Sequence, residues 1–257
     1  MYSASAVTGD DGKHYIYYTG NRWENPENRG EGNIQVHLYT SPDMLTWDFD
    51  RVLYDNPRDD VFMLECPDLF ELNGYWVLTF SPERPAPTGY RNLNIHNAGY
   101  VVGQWAPGEA CEVLTDYCQI DWNHNLYAPQ TFETEDRRRA VFGWIGSFDI
   151  PTASHTKGHR WSGQLTVPRE LRLTEGLKLT NYSLAEVEQL RQETRDFGSF
   201  TLGANKDLAL LENSDTYDIE REVDRPATGS ERVCLELMKT GAGNRVLVGY
   251  DSLDSCL

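Results

Sequence analysis

The sequence predicts an all-β chain of the β-propeller type, and three observations carry that expectation. Tight-turn signals, Asp11-Gly12 and Asn73-Gly74, each precede an apolar, aromatic run: His14-Tyr15-Ile16-Tyr17-Tyr18 and Trp76-Val77-Leu78-Thr79-Phe80. That pattern marks a hairpin. The unit recurs about 62 residues on, where Asp136 to Arg139 precede Ala140-Val141-Phe142-Gly143-Trp144. Upstream strands align in the same register, Cys66-Pro67-Asp68-Leu69-Phe70-Glu71 lying over Ala128-Pro129-Gln130-Thr131-Phe132-Glu133 at an offset of 62. A repeat of roughly 40–60 residues with several short strands is what a propeller blade produces.

In this register Ser3, Glu65 and Tyr127 occupy one equivalent position in three successive units. Equivalent positions on propeller blades converge on the central channel. The repeat therefore predicts that a hydroxyl, a carboxylate and a phenol line one pocket.

Taken in order, residues 1–20 read as a hairpin and 21–33 as a polar loop. Ile34 to Thr40 is a strand, Ser41-Pro42-Asp43 a turn, and 55–60 a charged loop leading to Leu64-Glu65-Cys66-Pro67-Asp68-Leu69-Phe70. Residues 82–97 form a loop rich in Pro, Asn and Arg, long enough for a functional rim. Strands resume at Gly99 to Gly103, and residues 121–130 open the third unit. After the loop from Ser147 to Arg160, Ser183-Leu184-Ala185-Glu186 has the capping-box pattern, and Leu184, Val187 and Leu190 would share a helical face. The expected division is a propeller domain over 1–182, a linker helix over 183–196 and the opening strands of a β-sandwich over 197–257.

Composition narrows the function. Hydrophobic content of 39% with 12% aromatics can build a core, while a net charge of −17 disfavours nucleic acid and anionic membranes and suits a neutral ligand. The five cysteines (66, 111, 118, 234 and 256) have no metal-like spacing, so reduced structural thiols are expected. Histidines are scattered and no acidic cluster has EF-hand spacing, so neither a metal nor a cofactor is expected. No run of about 18 apolar residues predicts a membrane helix. The lack of a leader points to a cytoplasmic home, although the chain opens directly on a strand, as if its true start were missing.

The motifs resemble glycoside hydrolase family 32, the β-fructofuranosidases. The matching pieces are Tyr2-Ser3-Ala4-Ser5-Ala6-Val7, Tyr18-Thr19-Gly20-Asn21, Glu65-Cys66-Pro67-Asp68, Asn125-Leu126-Tyr127-Ala128, Gly143-Trp144, and Ser162-Gly163-Gln164-Leu165-Thr166-Val167-Pro168-Arg169-Glu170-Leu171. The resemblance implies a five-bladed propeller, incomplete here, followed by part of a β-sandwich. It also implies retaining hydrolysis of terminal β-D-fructofuranosides, with sucrose or fructo-oligosaccharides as substrate. Family 43 arabinanase-like propellers share the architecture but do not explain Glu-Cys-Pro-Asp.

On this resemblance Glu65 is the general acid/base. Ser3, Cys66, Asp68, Asn125, Tyr127, Trp144 and Trp161 are the candidate substrate-binding residues, with His124 beside them at the mouth of the third unit. Strand alternation sends Asp68 to the face opposite Glu65 unless a bulge intervenes, and Cys66 reads as a packed thiol beside the acid. No stretch resembles the family's Asp-bearing nucleophile motif, and the sugar-binding Arg-Asp-Pro motif is absent between Asn21 and Trp47. The chain thus reads as truncated at its start and deleted internally, with Arg58-Asp59 an accidental likeness. Little or no turnover is expected from it alone, a non-catalytic fructan-binding propeller fragment is the alternative, and open strand edges invite self-association.

Overall fold

Along His14–Thr19 half-buried and buried positions alternate, as a strand with one face on a core and the other partly open requires. The computed structural model describes residues 4–19, 34–122, 125–148, 150–210, 216–224 and 232–252. Two compact units divide the chain, Met1–Gln189 and Leu190–Leu257.

Among the described residues the first unit holds three antiparallel sheets. Sheet one runs in sequence order through β1 (Ala4–Thr8), β2 (His14–Thr19), β3 (Gln35–Ser41) and β4 (Asp48–Asp55). Sheet two contains β5 (Met63–Leu72), β6 (Tyr75–Glu83), β7 (Gly99–Gln104) and the short β8 (Glu112–Val113) and β9 (Cys118–Gln119), both paired with β7. Sheet three contains β10 (Leu126–Glu133), β11 (Arg139–Ile145), β12 (Gln164–Leu165), β13 (Arg169–Leu173) and β14 (Leu179–Ser183). A one-turn helix α1 (Ala153–Thr156) lies between β11 and β12. Asn73 and Gly74 both take positive φ, 54° and 78°, the geometry a two-residue hairpin turn demands.

Adjacent residues of sheet two face opposite ways, and each face fills a different core. Leu69, Leu78 and Val101 pack with Tyr15, Tyr17, Val36 and Leu38 of sheet one. Their neighbours Phe70, Val77 and Val102 pack with Leu126, Val141, Leu171 and Leu173 of sheet three. The period of two thus makes the middle sheet apolar on both sides and stacks the three sheets face to face. The architecture is all-β and of the propeller type, with three successive blades that do not close into a ring among the described residues.

The segment marked by the capping pattern forms a 3-10 helix over Ala185–Leu190, shorter than the linker helix expected over 183–196. Glu186 does not complete a box: its carboxylate takes the guanidinium of Arg138 instead. Leu184 is buried and Leu190 is exposed, so they do not share an apolar face. In the second unit the described strands are one antiparallel hairpin, β15 (Arg232–Leu237) with β16 (Val246–Asp251). No helix among the described residues is long and apolar enough to cross a membrane.

Candidate active site

Two bulges of one geometry build the site. Strand β5 slips against β6 between Glu65 and Asp68, and Cys66 takes φ 50°. In the next blade β10 slips against β11 between Tyr127 and Gln130, and Ala128 takes φ 51°. Proline follows in both, Pro67 and Pro129, and a residue without an N–H cannot continue the ladder. Each bulge re-aims the side chain beside it. The left-handed backbone at a non-glycine residue costs about 1–2 kcal/mol, which the packing of both neighbours must offset.

The first consequence is direct: the phenol of Tyr127 donates to Oε2 of Glu65. Tyr127 is 2% exposed whereas Glu65 is half-buried. Burial and the carboxylate together push the phenol far above the ordinary tyrosine range, so it remains a donor. Ser81, opposite Glu65 on β6, accepts the Ala128 N–H through its Oγ at 3.0 Å.

Asp68 is turned by the same bulge but is buried. Its Oδ2 accepts the N–H of Thr131 at 2.8 Å and the Thr131 hydroxyl at 2.6 Å. Burial raises its pKa despite those donors and the nearby Arg139. A second link runs across three inner strands: Ser5 Oγ donates to Gln130 Oε1 at 2.9 Å, and Gln130 Nε2 donates to the Cys66 carbonyl at 3.2 Å. These bonds bind the Glu65 bulge to the Tyr127 bulge.

Three further rings cluster with Tyr127. His96 lies edge-on to Tyr127 at 5.2 Å and to Phe148 at 5.3 Å. Phe148 lies 5.0 Å from Trp144, which is paired with Tyr127 across β10 and β11. Gly163 has φ 72° and sits against the Trp144 indole where a side chain would collide.

Of the residues singled out from sequence, Glu65 and Tyr127 meet, and Trp144 stands beside them. Asn125 is half-buried just before β10, its carbonyl accepting Gly146 N–H at 3.1 Å. Cys66 is buried at the bulge. Trp161 is 52% exposed and has His159 as its ring partner at 6.2 Å. Ser3 and His124 lie outside the described residues. Arg58 pairs with Asp60 and lies over the Tyr117 ring at 5.7 Å, a structural role for the Arg-Asp likeness.

The motifs did not single out His96, Phe148, Ser81 or Thr131 as site residues. His96 falls in the 82–97 loop marked as a rim, while Phe148 carries no motif signal. No group of three or more His, Cys, Asp and Glu that could hold a metal ion occurs among the described residues.

The family model for the glycosyl hydrolases family 32 N-terminal domain matches residues 27–183. A sucrose-6-phosphate hydrolase of Escherichia coli is 33% identical over 229 residues, 89% of this chain and 46% of that protein. A Bombyx mori GH32 β-fructofuranosidase superposes with a TM-score of 0.65 at 28% identity, covering 74% of this chain and 38% of the other. The β-fructofuranosidase of Schwanniomyces occidentalis, 14% identical, shares the fold over 98% of this chain and 50% of its own, with a TM-score of 0.69. The chain spans less than half the length of curated relatives of this kind.

Proposed function

The chain belongs to glycoside hydrolase family 32, and from that premise we propose that Glu65 is the acid/base of a β-fructofuranosidase site. The observation that carries this is a half-buried carboxylate on a bulge, with one oxygen held by a buried phenol. The substrate class is a terminal β-D-fructofuranoside, sucrose or a fructo-oligosaccharide. Tyr127 occupies Oε2 and leaves Oε1 for the substrate. In the first step Glu65 gives its proton to the glycosidic oxygen as the bond to the anomeric carbon breaks. In the second, its carboxylate takes a proton from the water that attacks that carbon.

Retention needs a second carboxylate, roughly 5–5.5 Å from the first, to hold the fructosyl unit covalently. No stretch of these 257 residues resembles the family's nucleophile motif. The chain by itself supplies the acid/base and part of the binding wall, so its own turnover is little or none. The rings around Tyr127 favour a second reading, a fructoside-binding fragment without turnover. Asp68 acts in both readings as a positioning residue, because its carboxylate is spent on Thr131.

Glucose release from sucrose by the purified chain, beside Glu65→Gln, tests this together with fructose binding. Binding without release supports the proposal. Release lost in Glu65→Gln keeps the acid/base role and overturns the inactivity, whereas release retained in that variant overturns Glu65. Absence of both binding and release overturns the assignment of the pocket.

A further inference from the structure

Sheets one and three each turn one face to a core and the other away from it. On sheet one, Tyr15, Tyr17, Val36 and Leu38 fill the core shared with sheet two. Their neighbours Ile16, Tyr18, His37 and Tyr39 therefore lie on the far face, all half-buried, with Phe49 beside them at 52% exposure. Four of these rings form a closed circuit: Tyr18 to Tyr39 at 5.2 Å, Tyr39 to Phe49 at 5.3 Å, Phe49 to His37 at 5.6 Å and His37 to Tyr18 at 6.1 Å. On sheet three, Val141 and Leu171 fill the core shared with sheet two. The far face carries Phe142, with Phe132 stacked on it at 6.1 Å, and Tyr182, which is 56% exposed. Arg172 lies over the Tyr182 ring at 5.3 Å and is paired with Glu170 at 2.8 Å, so the charge on this face is already matched.

These two faces are the halves of a contact that the chain makes twice within itself. Phe132 holds the position of Phe70 one blade earlier, since Phe70 pairs with Val77 and Phe132 with Ala140 across equivalent hairpins. Phe70 is 2% exposed because sheet three lies over it, with the Arg139 guanidinium 4.9 Å from its ring. Phe132 is 44% exposed, and among the described residues the first unit has no fourth sheet to lie over it.

We propose that a second copy of this chain fills that place: the aromatic face of sheet one in each copy seats on the Phe132 face of sheet three in the other. The contact is head-to-tail, the same stacking that joins sheet one to sheet two and sheet two to sheet three. Two such contacts close six blades into one ring and leave neither face open, and six blades fall within the range of closed propellers. A four-stranded face measures roughly 15 by 18 Å, so the pair buries on the order of 1,000 Å² of surface, as much as a specific interface needs. The inference does not rest on the chemistry at Glu65.

Sedimentation velocity of the purified chain over a wide concentration range tests it. The net charge of −17 opposes the approach of two copies, so the measurement is made at about 0.15 M salt, where charges more than about 8 Å apart are screened. The wild type is expected to sediment as two chains. Phe49→Glu and Phe132→Glu, each placing a charge in the apolar contact, should each weaken pairing at least about 10-fold with an unchanged circular dichroism spectrum. Mixing the two variants should restore a pair, because one intact contact remains between the sound face of each. Leu45→Glu, in the turn between β3 and β4 and 86% exposed, should leave the pair intact. A monomeric wild type overturns the proposal and leaves both faces to a different partner. Pairing that survives Phe132→Glu, or variants that fail to pair when mixed, overturns the head-to-tail contact, and masses beyond two chains overturn the closed ring.

Discussion

Tyr127 donates its phenolic proton to the carboxylate of Glu65, a residue 62 positions earlier and at the equivalent place in the preceding blade. The repeat is therefore visible as chemistry: two copies of one bulge present a carboxylate and a phenol to each other.

Replacing Tyr127 with Phe keeps the ring contact with His96 and removes the donor. A hydrogen bond to a charged group contributes about 1.5–3 kcal/mol, so Tyr127→Phe should lower stability by about 1–2 kcal/mol, the half-buried carboxylate recovering some solvation. Urea unfolding with an unchanged slope checks this. In a double-mutant cycle with Glu65→Gln the two losses should be non-additive by at least about 0.5 kcal/mol.

Asp68→Ala leaves the Thr131 N–H and hydroxyl without their acceptor and should cost about 2–4 kcal/mol. Asp68→Asn keeps an acceptor and should fall within about 1 kcal/mol of wild type at neutral pH. Burial raises this carboxyl above the ordinary aspartate value of 3.8. Between those values the native state binds more protons than the unfolded chain, so stability falls as pH rises through the raised value. Unfolding measured against pH should show that decline in wild type and not in Asp68→Asn.

Asp60 behaves oppositely. Its bonds from Arg58, with a smaller contribution from the Ala86 N–H, lower its pKa to about 2. The stabilisation is present above the ordinary value of 3.8 and is lost as pH falls toward 2. Partial exposure limits it to about 1 kcal/mol. Asp60→Asn should remove that part of the acid slope in a pH series of thermal unfolding.

Gly163→Ala forces a methyl group against the Trp144 indole at a left-handed backbone position. The expected cost is about 1–3 kcal/mol, with a shift in tryptophan emission as the indole moves. Unchanged emission and stability would place Trp144 elsewhere.

Much of the fold was legible because its causes are local. Turn pairs such as Asn73-Gly74 demand positive φ, and the strands they join alternate between two packed faces, which any window of a few residues reveals. The 62-residue spacing then placed Glu65 over Tyr127. Phe148 was not legible, since a lone aromatic in a polar loop carries no period. Asp68 was legible only as a carboxylate near the acid. Alternation alone cannot say where it points once a bulge at Cys66 shifts the register.

The sequence by itself determined the strands, their repeat and the motif at Glu65, because those follow from turn chemistry, side-chain alternation and residue identity along one stretch of chain. Tertiary structure alone decided that Glu65 is held by Tyr127, that Asp68 is bound to Thr131, and that His96 and Phe148 join the site. Those outcomes depend on how bulges in separate blades are turned toward each other, and only the packing of one sheet on the next sets that.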